Sequence, residues 1–331
     1  LKRVMKRFLL FSLLLIFILI MYVLWDNQRI IVIEQDIYLD KMSAGQEIRI
    51  LQITDFHEKD FGARQSKLIK RINQLEYDII LFTGDMMNSI DHGDTGPFFD
   101  LIQGIENNAN AYFVIGNTDP YPYDVTDDSV EKAPYIKVME KHGVRFLESS
   151  DQFKLNGQDV VLTDHELSVL NPDQPFTYVE GKPKMPYENM QSYKLYKQQQ
   201  LNELAETLRT FEGVLISVTH YPVADPQIDY LEEHPDRYVM RNYDLIIAGH
   251  YHGGQIRLPF IGALVVPEAW YPSPLFPPQN RVKGFWEYKG YKQYVSAGLG
   301  SSNAVSFLNF RLFNPPEINL ITLKSTDSED E

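Results

Sequence analysis

The sequence predicts an α/β fold preceded by one apolar helix. Three observations carry this expectation. Short β-rich apolar runs alternate with segments of helical spacing, the runs end in Gly, Asp, Asn or His, and one long uncharged stretch stands apart. That stretch comes first. Lys2, Arg3, Lys6 and Arg7 precede residues 8–25, which are 18 residues without a charge, rich in Leu, Ile and Phe. A helix of that length just spans a bilayer, and Tyr22 and Trp25 suit its far interface. The four cations are expected to stay cytoplasmic, leaving the chain from residue 27 onward outside the cytoplasm. A cleaved signal peptide is the alternative. Bulky Tyr22-Val23-Leu24-Trp25 offers no small-residue cleavage site, which favours an uncleaved anchor in the cell membrane. A buried core helix is disfavoured, because no polar residues mark a second face.

A linker and first strand are expected over residues 27–45. Residues 30–33 and 48–53 read as strands, the second ending in Thr54-Asp55-Phe56-His57. Residues 65–75 have helical spacing, and 79–82 form a β-rich run ending in Thr83-Gly84-Asp85. A helix is expected at 98–106, then a strand at 111–115 that ends in Gly116-Asn117. Strands at 214–218 and 245–248 lead into Thr219-His220 and Gly249-His250-Tyr251-His252-Gly253-Gly254. From about 164 to 211 the chain is polar, holds four prolines and closes in a Gln-, Glu- and Leu-rich helix at 191–208. That is the pattern of an insertion beside the core. The later third, with runs at 284–294 and 318–323, is more purely β, and residues 325–331 read as an acidic tail. No internal repeat is present.

Composition narrows the chemistry. With 331 residues, 44% hydrophobic and 23% charged, the chain is ordinary globular material rather than a disordered or repetitive one. Lys+Arg 31 against Asp+Glu 45 gives a net charge of −14, which argues against binding the nucleic-acid backbone. The absence of cysteine removes disulfides and Cys-ligated zinc or iron–sulfur sites, so any metal must be held by His, carboxylate, amide or water.

Five apolar strands end in residues that can bind metal: Asp55 with His57, Asp85, Asn117, His220, and His250 with His252. Open α/β sheets gather their chemistry at the carboxyl ends of strands. Seven oxygen or imidazole donors delivered there can surround a pair of divalent ions, provided one carboxylate, Asp85, bridges them. Taken singly each piece has a bland reading: Gly-Asp and Gly-Asn are turn signals, and a lone histidine is usually a hydrogen-bonded core or surface residue. Taken in this order, each after a strand and with four of the eight histidines in the set, they point to a metal centre.

These blocks resemble the calcineurin-like metallophosphoesterases. The resemblance rests on Asp55-Phe56-His57, Gly84-Asp85, Gly116-Asn117, Thr219-His220 and Gly249-His250-Tyr251-His252. It extends through Gly253-Gly254-Gln255 and Ser296-Ala297-Gly298-Leu299-Gly300 to Pro316-Glu317-Ile318, covering roughly residues 46–324. The later segments look like the membrane-anchored bacterial branch with a Gly-His-Thr-His-Gly-Gly-Gln signature. The resemblance implies a four-layer α/β/β/α sandwich with metals at the sheet ends. One ion would be held by Asp55, His57, Asp85 and His252, the other by Asp85, Asn117, His220 and His250, and a bridging hydroxide would attack a phosphate ester. The metals would be Mn, Fe, Zn or Ni, and mixed N/O ligands do not choose among them.

One block departs from the family. Its third block normally reads Gly-Asn-His followed by Asp or Glu, whereas here it is Gly116-Asn117-Thr118-Asp119-Pro120. The amide ligand is kept, but the histidine that sits over the phosphate is replaced by Thr118, whose hydroxyl can orient a phosphate without serving as an acid near neutrality. Asp85, Asn117 and Thr118 are therefore the expected catalytic set, with His92 or His165 as substitutes for the missing acid or as ordinary loop histidines. The leading expectation is a membrane-anchored metal-dependent phosphoesterase, most naturally a phosphodiesterase. The alternative is a catalytically weak homologue that keeps its metals and binds a phosphorylated envelope component or protein partner. Trp270-Tyr271-Pro272 through Pro277-Pro278 lines a substrate groove or simply packs a loop. Lys182, Lys184, Lys194 and Lys197 attract a phosphorylated substrate or form a solvated face. Substrate identity and oligomeric state are left open by the sequence.

Overall fold

The computed structural model describes residues 2–88, 96–302 and 308–328. The central apolar runs are buried on both faces, the mark of strands covered twice, and they assemble into two sheets. The first contains β1 (Ile31–Leu39), β2 (Glu47–Ile53), β3 (Ile79–Thr83), β4 (Ala111–Val114), β7 (Val144–Phe146) and β16 (Glu317–Ser325), in the order β1-β16-β2-β3-β4-β7. The second contains β8 (Ser150–Leu155), β9 (Gln158–Asp164), β10 (Val214–Val218), β11 (Leu245–Ala248), β14 (Gly284–Tyr288) and β15 (Tyr291–Val295), in the order β14-β15-β11-β10-β9-β8. Two small hairpins complete the strands: β5 (Tyr123–Val125) with β6 (Val130–Lys132), and β12 (Arg257–Leu258) with β13 (Gly262–Ala263).

Period-two alternation sets the layers. Ile48, Ile50, Ile79 and Leu81 of the first sheet meet Val214, Ile216, Leu245 and Ile247 of the second in one buried cluster between the sheets. The opposite face of the first sheet, with Leu51, Ile53, Ile80 and Phe82, packs on α2 (Ser66–Ile72), α3 (Gly96–Gly104) and α4 (Pro134–Lys141). The outer face of the second, with Val161, Leu215 and Ile246, is covered by α5 (His165–Ser168), α6 (Gln191–Arg209) and α7 (Asp225–Glu233). The result is a four-layer α/β/β/α sandwich. β2, β3 and β4 run parallel, as do β10 and β11, so their carboxyl ends open on one edge.

Several boundaries differ from the sequence expectation. β1, expected at 30–33, runs on to Leu39 because it pairs along its whole length with β16, and it is the sheet's edge strand. Ser325 is buried and paired with Leu39, so the acidic tail begins after it; residues 329–331 lie outside the described residues. Residues 116–164, in which no element was expected, hold three strands of the main sheets (the three-residue β7, β8 and β9), the β5–β6 hairpin and α4.

The 25-residue α1 (Lys2–Asp26) precedes the sandwich and is long and apolar enough to cross a membrane. At about 1.5 Å per residue it spans roughly 37 Å, against about 30 Å for a hydrocarbon core. Its C-terminal end touches the sandwich: the Tyr22 ring lies 5.3 Å from that of Phe313, and Asn27 Nδ2 donates to the Arg311 carbonyl at 2.7 Å.

Candidate metal centre

Backbone hydrogen bonds continue the strand pairing past the strand ends and align the donor-bearing segments. Asp55 N–H donates to the Gly84 carbonyl (3.0 Å), His57 N–H to the Asp85 carbonyl (2.9 Å) and Gly249 N–H to the His220 carbonyl (2.9 Å). Gln52 ties the two sheets directly below, donating to the Ala248 carbonyl at 2.7 Å. Five of the seven predicted donors then turn into the left-handed region: Asp55 (φ 50°), His57 (49°), Asp85 (54°), His250 (67°) and His252 (49°). Such a turn costs an L-residue about 1–2 kcal/mol, and its clustering here marks a site where side-chain direction outweighs backbone comfort. Neighbouring glycines leave the room: a Cβ on Gly84 would lie 2.6 Å from His220 Nδ1, and one on Gly116 only 2.2 Å from Asp85 Oδ1.

The side chains form two groups that share Asp85. Asp55, His57, Asp85 and His252 make one, and Asp85, His220 and His250 the other, with the donor atoms of each group within 4.8 Å of one another. His57 Nε2 lies 3.4 Å from Asp85 Oδ2 and 3.3 Å from His252 Nε2, and His252 Nε2 is 3.4 Å from Asp55 Oδ1. In the second group His220 Nε2 is 3.4 Å from Asp85 Oδ2 and 3.0 Å from His250 Nδ1. Two donors about 2.1 Å from one cation lie roughly 3.0 Å apart at a right angle and 3.4 Å at the tetrahedral angle. The spacings match that range.

The imidazoles are oriented to present lone pairs. Asn88 Oδ1 sits 2.9 Å from His57 Nδ1, and the Thr83 carbonyl 2.9 Å from His220 Nδ1, so each ring donates outward and turns Nε2 inward. Asn117 Oδ1 is buried without a partner, and Asn117 lines the same basin as His250. An orphaned acceptor beside converging lone pairs fits a divalent cation.

Electrostatics agree. Burial alone would raise the Asp85 carboxyl, but His220, His57 and the Thr118 N–H bring it well below the usual range. Burial pushes Asp55 up to about 7 against the pull of His220. Burial lowers His57, takes His250 down to about 3 with help from His220, and takes His252 well below its ordinary value. His220 goes the other way, to about 9: burial opposes its charge, but Asp85 outweighs that. Three rings are thus held in the neutral form that binds metal.

The calcineurin-like phosphoesterase family model matches residues 48–254. The chain belongs to this family. Two Bacillus subtilis proteins, both described as uncharacterised metallophosphoesterases, are similar over most of their length. YkuE is 26% identical over 287 residues, covering 84% of this chain and 80% of YkuE. YkoQ is 21% identical over 289 residues, covering 84% of each. Among solved structures, the phosphopantetheinyl hydrolase of Mycobacterium tuberculosis is 12% identical with a TM-score of 0.40, covering 77% of this chain and 92% of that one. The match ends at residue 254, yet β14, β15 and β16 complete both sheets of the phosphoesterase domain.

Within that domain the structure brings all seven expected donors to one edge. Thr118 is placed differently from the expectation of a phosphate-orienting hydroxyl. Its Oγ1 donates to the Met87 carbonyl at 2.6 Å, while its N–H donates to Asp85 Oδ1 at 2.9 Å. His165 is fully buried, with Nδ1 2.8 Å from Ser217 Oγ and its ring against Tyr243. It is a structural histidine, and His92 lies outside the described residues. The solvated lysine face is corrected for two of its members. Lys197 is buried and donates to the Glu148 carbonyl, and Lys182, in the loop before α6, turns inward and lines the basin with Asn117, His250 and Trp270.

Two supporting residues were not singled out from the sequence. Asp119 is buried and accepts from the N–H groups of Asp85, Met87 and Gly116 at 2.8–2.9 Å. Arg311, with 0% exposure, donates to the carbonyls of His252, Ala297, Gly300 and Asn314. Asp119 followed a strand-end motif and was visible as a carboxylate without a role. Nothing local marks Arg311.

Proposed function

We propose that the chain is a membrane-anchored, extracytoplasmic hydrolase of phosphate esters, with diesters the first candidates, that works with two divalent ions. The observation that carries the reading is the sharing of Asp85 between two groups of donors at ligand-to-ligand spacing. Asp55, His57, Asp85 and His252 would hold one ion, and Asp85, Asn117, His220 and His250 the other. When bound, such a pair lowers the pKa of a water and neutralises charge on the phosphoryl group. Asp85 acts as the common carboxylate, kept in register by the Thr118 N–H on its other oxygen. Asn88 and the Thr83 carbonyl hold the imidazoles in the ligating tautomer. The Thr118 hydroxyl hydrogen is spent on Met87, so Thr118 itself offers no acid where the family histidine would protonate the leaving group. Positioned acids contribute typically 10²–10⁴-fold, so esters with poor leaving groups should turn over slowly.

The anchor reading rests on α1 and the four cations at its start. The function is tested by elemental analysis of the full chain after incubation with Mn²⁺ or Zn²⁺, together with hydrolysis of bis-p-nitrophenyl phosphate and p-nitrophenyl phosphate. Two ions per chain and metal-dependent turnover of the diester support the reading. No bound metal overturns it, and bound metal without turnover selects the binding homologue. Protease added to intact protoplasts should degrade the domain; full protection reverses the orientation.

A further inference from the structure

The basin beside the metal centre leads into a second space. A cavity of about 230 Å³ lies between the 164–211 insertion and the loops that follow β4 and β7. Tyr123, Phe146, Phe176, Leu170, Val179 and Tyr193 give it aromatic and aliphatic walls. Asn117, Lys182, Pro183 and Tyr221 line both this cavity and the basin that contains His250, so the two spaces meet at a neck beside a predicted metal ligand.

Apart from Lys184, which is 82% exposed and 3.7 Å from Glu188, the charged groups of the walls are already committed within the protein. Asp119 accepts three backbone N–H groups. Glu148 accepts from Tyr123 and Tyr196 and pairs with Lys132. Asp164 accepts from the Leu167 N–H, and Lys197 donates to the Glu148 carbonyl and Gln200. Glu166 accepts from Thr219 and pairs with Lys182 at 3.5 Å. A polar ligand group would have to displace one of these bonds; a hydrocarbon would not. The neck differs. The Lys182 side chain is 11% exposed, its Nζ lies 4.3 Å from the Tyr221 ring, and its ion pair with Glu166 leaves donors for an anion. The space therefore offers apolar wall, then one cation, then the metal donors, in that order.

We propose that this cavity binds an aliphatic chain of the substrate, with Lys182 at the neck against a phosphate oxygen, so that the substrate class is a phosphate ester of an aliphatic alcohol. The proposal rests on the phosphoesterase reading for its phosphoryl end and on the cavity for the rest.

The test uses the full chain in lipid nanodiscs, loaded with Mn²⁺, titrated by calorimetry with methyl, butyl and hexyl phosphate against empty nanodiscs. Burying a methylene tightens binding about fourfold, the equivalent of about 0.8 kcal/mol, so butyl phosphate should bind roughly 60-fold tighter than methyl phosphate. Val179→Trp, which places an indole in the cavity and takes up much of the room an alkyl chain needs, should bring that ratio within about threefold. Lys182→Met should weaken all three ligands by a similar factor of roughly ten, as expected for losing one charge-assisted bond. A butyl-to-methyl ratio within threefold in the unaltered chain overturns the proposal. So does an unchanged ratio in Val179→Trp, unchanged binding in Lys182→Met, or tighter binding of thymidine monophosphate than of hexyl phosphate. Binding is read without turnover, so the two readings fail separately. Metal-dependent hydrolysis with a flat chain-length series sinks only the aliphatic site, and a steep series without hydrolysis of any ester sinks only the enzyme.

Discussion

Replacing Asp119 by Asn removes one acceptor from beneath the metal centre without changing its size. Asp119 Oδ2 accepts from the N–H groups of Asp85 and Gly116, both at 2.8 Å, and Oδ1 accepts from Met87 N–H at 2.9 Å. Asparagine has a single acceptor oxygen. Turned to keep the first two bonds, it points its amide hydrogens at Met87 N–H and leaves a buried donor unpaired, at about 1–3 kcal/mol. The loss falls on the turn that sets the left-handed backbone of Asp85, the residue common to both donor groups. Outlying partners of metal ligands typically carry 10–100-fold of metal affinity, which is about 1.4–2.7 kcal/mol and so matches one lost bond. Calorimetric titration of Asp119→Asn with Mn²⁺ should therefore show affinity reduced 10–100-fold at both sites. Affinity within threefold of the unaltered chain would refute the idea that Asp119 holds the centre in place.

One further outcome comes from a buried histidine and another from the loop at Thr118. Burial holds His165 neutral and lowers it to about 4, so between pH 6.5 and 4 the unfolded chain takes up a proton that the folded one refuses. Stability should thus fall as pH drops through that window, by about 3 kcal/mol at most, and His165→Gln should flatten this limb in urea titrations; an unchanged slope counts against the assignment. Thr118→His should speed hydrolysis of alkyl diesters, whose leaving group needs a proton, by up to roughly 10²–10⁴ while moving nitrophenyl esters little. Equal effects on both substrates, measured side by side, would remove leaving-group protonation as the missing function.

What could be read from the sequence was local. β3, β4 and β11 are almost wholly apolar because both of their faces are covered, β2 and β10 are broken only by Arg49, Gln52 and Ser217, and each run stops abruptly at a donor, so strand and ligand were visible together. The edge strand β1 carries Glu34, Gln35 and Asp36, which hid its length. The three-residue strands β5, β6 and β7 are too short to show a period. Long-range support was hidden for a different reason. Arg311 acts only on carbonyls, which every residue has, and 59 positions separate it from His252. Lys182 read as one more surface lysine because its burial depends on a turn at Gly181 (φ +84°), where a Cβ would lie 2.8 Å from the Trp270 indole nitrogen.

The same geometry predicts that the domain is strained when its site is empty. Five donors hold left-handed backbone, at about 1–2 kcal/mol each. The imidazole nitrogens of His57 and His252 face one another at 3.3 Å and those of His250 and His220 at 3.0 Å, and Asp55 and Asp85 are buried beside them. At each facing pair of nitrogens a single proton can serve only one ring as donor, whereas a cation takes up the lone pairs of both. Ions that bind only the folded chain add RT ln(1 + [L]/Kd), about 2.7 kcal/mol at one hundred times Kd for each site. For a domain of this size that amounts to roughly 2–4 °C per kcal/mol. Stripping metal with a chelator should therefore lower the melting temperature of the full chain by roughly 5–10 °C per site. Adding Mn²⁺ back should restore it, and Asp85→Asn should show no response to either treatment. A chelator shift below 1 °C in a chain shown to contain metal would mean that the donors are held by the fold alone, and that the left-handed turns owe nothing to the ions.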